Sequence, residues 1–151
     1  MTDLNALIER LEKASGSDRE LDGQIEAALG CPAFSDTLPA LTDGWRWTFE
    51  DDDVPGRVTV FLTLANKTSK KHKRYDAPHY TSSIDAAMTL VPEKHGWALN
   101  YASMASVIRL GPNGAIDGEI VSSWPDDQRE AELPVSPAIA LCIASLRARA
   151  I

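Results

Sequence analysis

The stretch KTSKKHKR, residues 67 to 74, places Lys67, Lys70, Lys71, Lys73 and Arg74 within eight positions. Cations at that density can hold phosphates or carboxylates through charge-assisted hydrogen bonds. A few residues on, His79, Tyr80, Thr81, Ser82 and Ser83 lead into a helical pattern, and at a helix N-terminus backbone N–H groups and hydroxyls together offer an anion site. Lys70, Lys71, Lys73, Arg74, His79, Tyr80, Ser82 and Ser83 therefore make up the candidate ligand-binding set, with a phosphorylated small molecule as the ligand chemistry. The same residues also have plainer duties to perform. The hydroxyls serve as helix caps, Tyr80 as core, and the basic run as a solvated, mobile loop whose like charges repel one another.

Other chemistries leave no signature. His72, His79 and His95 have no helical metal spacing, and neither H-E-x-x-H nor a paired C-x-x-C occurs, which argues against zinc. The acidic run Glu50-Asp51-Asp52-Asp53 lacks the alternating acids and closing Glu of a calcium loop, so at best it binds a divalent ion weakly. No P-loop, no G-x-G-x-x-G and no G-x-S-x-G is present. Cys31 and Cys142 stand far apart and read as two reduced thiols. No catalytic residue, metal or cofactor is expected.

The net charge of −7 is unevenly spread, because five of the fifteen basic residues lie in the basic run. Without it, ten basic residues face twenty-two acidic ones, a balance of −12. A duplex-DNA binder needs cations that track many phosphates, and this chain does not offer them. An acidic body suits a basic macromolecular partner, or imitates nucleic acid to one. A chain of 151 residues, 44% hydrophobic and 25% charged, is of ordinary globular composition. One domain over residues 1–151 is the expectation, burying about 70% of its unfolded surface. No apolar run approaches the roughly 20 residues of a membrane span, and charged residues interrupt the N-terminal leucines, so the expected location is the cytoplasm with no membrane contact.

Periodicity supplies the elements that must position these side chains. Leu4, Leu7, Ile8 and Leu11 form one helical stripe opening after Thr2 or Asp3 and closed by Ser15-Gly16. Ser17 with Glu20 reads as a capping box ahead of Leu21, Ile25, Ala28 and Leu29, with Gly30 as the stop. Strands follow in WRWTFE, RVTVFLTLA, GWALNYASM, ASVIRL and AIDGEIVSSW, with DDDVPG and GPNG as turns. Gly44-Trp45 and Gly96-Trp97 fit either an internal duplication or, twice over, a turn followed by a large apolar anchor. Between the strands, Ser82 or Ser83 caps a short helix with Ile84, Ala87, Met88 and Val91 as its buried face, ended by Pro92. Ser136 and Pro137 open the last helix, buried along Ile139, Cys142, Ile143 and Leu146, with Arg147 and Arg149 suited to its negative end. The class is α+β: a single layered domain whose four- or five-stranded, mostly antiparallel sheet carries N-terminal helices, a middle helix and a C-terminal helix.

Three phrases, LIERLEKASGSDRELDGQIEAALG, YTSSIDAAMTLVPE followed by GW, and SPAIALCIASLRARA, resemble in that order the phage ABA sandwich domain family, small proteins of alphaproteobacterial phages and prophages. That resemblance implies a layered α/β arrangement and a phage origin, and it brings no catalytic residues. The segment from Cys31 to Ala77 and the strands after Tyr101 fall outside it. Three function classes stand open: a non-enzymatic phage accessory protein binding a host or phage macromolecule, a nucleotide-type small-molecule binder acting in anti-defence, and a small enzyme.

Overall fold

The computed structural model describes residues 3–32, 38–41, 44–64, 69–99, 105–110, 116–122 and 136–150. They form an α+β chain that divides into two compact units, one of Arg19–Pro78 and the other of Asp3–Asp18 with His79–Ile151. Each unit holds a three-stranded antiparallel sheet.

In the first unit, α2 (Arg19–Ala28) packs on β1 (Trp45–Asp51) and β2 (Arg57–Leu64), and β3 (Ser69–Asp76) completes the order β1-β2-β3. Alternation decides which side chains meet the helix. Val58 and Val60 are fully buried beside Cys31 and Ala77, and Trp47, Phe49 and Tyr75 pack against them. Thr59, Phe61 and Thr63 therefore share the opposite face, open in that α2 packs on the other although Thr59 is itself buried, with Thr48, whose hydroxyl lies 2.8 Å from that of Thr63. The β1–β2 turn ends at Gly56, which has a φ of +82°, a backbone that costs glycine nothing. An ideal Cβ there would lie 2.5 Å from Arg19 Nε. The Arg19 guanidinium needs that space: its Nη1 donates to Asp22 Oδ2 at 2.8 Å and Pro78 O at 3.3 Å, and its Nη2 to Ala77 O at 2.8 Å and Gly56 O at 3.3 Å.

From Ser69 onward the basic run forms β3 instead of the expected loop, and Lys67 lies outside the described residues. Among the described residues the strands thereby number six, in two sheets, against the four or five expected in one. Ladder bonding to β2 overrides the low strand propensity of lysine, because Thr59, Val60, Phe61 and Leu62 offer a continuous row of partners.

The second unit is built around α4 (Pro137–Ala150), which packs on α1 (Leu4–Glu12), α3 (Ile84–Met88), β4 (His95–Leu99), β5 (Ala105–Leu110) and β6 (Ile116–Ser122). All of Ala138 to Leu146 is buried. A helix apolar on every side is a core helix, so the expected stripe of Ile139, Cys142, Ile143 and Leu146 widens to take in Leu141 and three alanines. Each such Ile or Leu contributes about 1.5–3 kcal/mol of transfer free energy. α1 is capped by Asp3, whose carboxylate accepts from Asn5 N–H at 3.0 Å, and it buries Leu7, Ile8 and Leu11. Arg147 of α4 ion-pairs with Glu12 of α1, while Arg149 Nε donates to Leu90 O at 2.9 Å. These two arginines bind other elements as well as complementing their own helix end.

The middle helix is rotated from its expected phase. Ile84 and Met88 are each 38% exposed, while Ala87 and Leu90 are fully buried. α3 has only five residues, so its buried side is set by Tyr80 and Leu90 on its flanks more than by an internal stripe. Both Gly-Trp pairs stand at the opening of a meander, at β1 and at β4. The expected turn at residues 111–114 lies outside the described residues.

Candidate binding site

The candidate residues fall into two groups, one in each unit. Lys70, Lys71, Lys73 and Arg74 lie on β3, and His79, Tyr80, Ser82 and Ser83 lie ahead of α3.

The second group is occupied by its own fold. Tyr80 is fully buried, and its carbonyl accepts from Cys142 Sγ at 3.2 Å. Ser83 is the N-cap of α3, its Oγ accepting from Ala86 N–H at 3.2 Å. The N–H groups of Ser82 and Ser83 both turn back to His79 O, at 3.2 and 2.9 Å. Thr81, also buried, accepts from Asp18 N–H at 2.8 Å and lies 3.2 Å from Asp18 O. Side chains of His79 and Ser82 remain exposed. The hydroxyls that suggested an anion site thus act chiefly as caps and loop ties.

β3 is different, because all six residues from Ser69 to Arg74 are exposed. Its register against β2 assigns the faces. Arg74 sits opposite Thr59 and Lys71 opposite Phe61, on the open face; Lys73 sits opposite Val60 and Lys70 opposite Leu62, on the face that α2 covers further in. The register shifts between Val60 and Phe61, so the ladder passes over His72, as at a β-bulge. The His72 ring rests 4.8 Å from that of Trp47, tilted by 58°. Trp47 is itself fixed by donating from Nε1 to Pro39 O at 3.1 Å.

The C-terminal end of the strand is anchored from both sides. On the open face, Asp52 Oδ2 accepts from Arg74 Nε at 2.6 Å and from the Thr59 hydroxyl at 3.3 Å. Burial alone would raise the Asp52 carboxyl, but the bonded Arg74 guanidinium outweighs it and holds the carboxyl below its usual range. On the inner face, the Tyr75 hydroxyl donates to Oε1 of the fully buried Glu26 at 3.0 Å. Burial pushes the Cys31 thiol up to about 12, and burial followed by its hydrogen bond to Cys31 pushes the Tyr75 phenol up as well. Cys31 is held in the left-handed region, at a φ of 55°. Ala77 N–H donates to Gly56 O at 2.7 Å, which fixes where the strand ends.

This anchoring set of Arg19, Asp22, Glu26 and Tyr75 was invisible to apolar periodicity. Asp22 and Glu26 follow directly on Leu21 and Ile25, so the buried face of α2 is wider than its apolar stripe. The three-residue spacing of Arg19 and Asp22 was the one local signal that an ion pair would form.

No family model, curated protein or solved structure matches the chain.

Proposed function

We propose that the chain is a non-enzymatic binding protein that meets a host or phage macromolecule through strand β3, as an accessory protein of phage or prophage origin. The phage origin rests on the resemblance of the three helical phrases. The binding reading is carried by one observation: an edge strand anchored at its C-terminal end exposes Lys70, Lys71, Lys73 and Arg74 in succession on a chain of net charge −7. Surface electrostatics of that kind steer and orient a partner. The cations diverge onto both faces of the sheet, whereas a small phosphorylated ligand needs them to converge; an extended macromolecular partner fits the divergence.

The test is affinity capture from bacterial lysate with wild type and with the Lys70→Gln/Lys71→Gln/Lys73→Gln variant, both assayed for thermal stability. Wild type should retain a macromolecule that the variant releases at unchanged Tm, because the three side chains are exposed. Identical retention by the two proteins would sink the reading.

A further inference from the structure

We infer that β3 takes an acidic, extended peptide by strand addition, a reading that rests on β3 being the binding surface and names the class of its partner.

Three observations lead there. Among the described residues β3 ends the order β1-β2-β3, and an edge strand presents a row of N–H and C=O groups on the side away from its ladder partner. Second, the exposed lysines are shared between the two faces, Lys71 on one and Lys70 and Lys73 on the other, while Arg74, beside Lys71, is already paired with Asp52. A ligand lying flat on either face would meet only part of the set. A strand lying in the plane of the sheet, beside β3, meets both, because its own side chains also alternate up and down. Opposite charges placed directly across a ladder attract, and like charges repel. Third, the chain apart from its basic run carries a balance of −12, so an acidic peptide is repelled elsewhere and finds its attraction here.

Lysines on an edge are also a device against unwanted pairing. That device is selective. It penalises an apolar strand, which would desolvate the ammonium groups without neutralising them, and it admits a strand that carries carboxylates. The anchored C-terminal end of β3 lowers the ordering cost of such pairing, since the template strand is already held by Glu26, Asp52 and Gly56.

The experiment titrates full-length protein, followed by amide chemical shifts, with a peptide of eight residues, the length of β3, reading Val-Thr-Glu-Glu-Glu-Glu-Val-Thr. Four further probes accompany it: the same peptide with Gln for Glu, two versions N-methylated at alternate positions of opposite phase, and an oligothymidylate. The Glu peptide should shift the amides of β3 and bind at least about tenfold more tightly than the Gln peptide, as several cross-strand charge pairs imply. One N-methylated phase should lose binding and the other keep it, because only alternate N–H groups of an added strand face its neighbour. Lys70→Gln/Lys71→Gln/Lys73→Gln should weaken the Glu peptide toward the Gln level. Equal binding by both methylated phases means charge alone and overturns strand addition, as does equal binding of the Glu and Gln peptides. Oligothymidylate binding at β3 with silent peptides overturns the peptide partner yet leaves β3 as the binding surface. Unchanged lysate capture by the lysine variant overturns that surface itself.

Discussion

Gly56 and Arg19 show how two residues fix the geometry of one unit. The left-handed φ of Gly56 leaves room for a guanidinium that reaches the carbonyls of Gly56, Ala77 and Pro78 and the carboxylate of Asp22. Gly56→Ala would impose left-handed strain of roughly 1–2 kcal/mol and set a methyl 2.5 Å from Arg19 Nε. Releasing that clash means giving up some of the guanidinium bonds, each worth about 0.5–1.5 kcal/mol. A total loss of about 2–4 kcal/mol in urea unfolding is expected. Gly16→Ala supplies the contrast, because a Cβ at that position would meet nothing within 4 Å and its φ is not positive. That change should be neutral or stabilise by up to about 1 kcal/mol. Equal losses at the two sites would refute the role given to Arg19. Glycine in DDDVPG announced the turn in the sequence, but the arginine that occupies the space beside it comes from far away in the chain and left no local mark.

At the scale of elements, local patterns were legible where an element is long and its partner lies on one side. α1 follows its stripe of Leu7, Ile8 and Leu11, and the hairpin of β1 and β2 follows its alternation. β3 was hidden, since its composition is that of a solvated loop and only the ladder to β2 makes it a strand. The binding set was legible as a cluster of charge, but its division between two faces depends on the register and on the bulge at His72. α3 was misphased for a related reason: in five residues, flanking contacts outweigh periodicity. Within the second unit, α3 and α4 therefore make opposite predictions. Leu146→Ala or Ile143→Ala in α4 should cost about 2–5 kcal/mol, being fully buried. Replacing the partly exposed Ile84 and Met88 by Lys should change stability by less than about 1 kcal/mol in all. Thermal melts of the three variants decide the matter, and a large loss for the α3 pair would restore the phase that the sequence suggested.

For the whole molecule, charge and pH connect these pieces. A chain at −7 becomes more negative as pH rises, which adds self-repulsion shared by every variant. One contribution is specific. The buried Cys31 thiol is held protonated up to about 12, whereas its ordinary value is 9.0. Below pH 9 both the folded and the unfolded chain keep that proton, and the stabilisation is present in full. Between 9 and about 12 the unfolded chain releases the proton and the folded chain does not, so each rise in pH favours unfolding. The limiting slope is about 1.4 kcal/mol per pH unit from this group. The Tyr75 phenol, also raised by burial, adds a loss of the same sign above its ordinary value of 10. Melts of wild type and Cys31→Ala at pH 7, 9, 10 and 11 test the thiol, because self-repulsion acts in both proteins and the part of the Tyr75 shift that comes from its bond to Cys31, lost with the thiol, has the same sign. The curves should run parallel up to pH 9, whatever their offset, and wild type should then fall more steeply. Parallel curves throughout would show that the Cys31 thiol titrates in the folded protein as it does in the unfolded one.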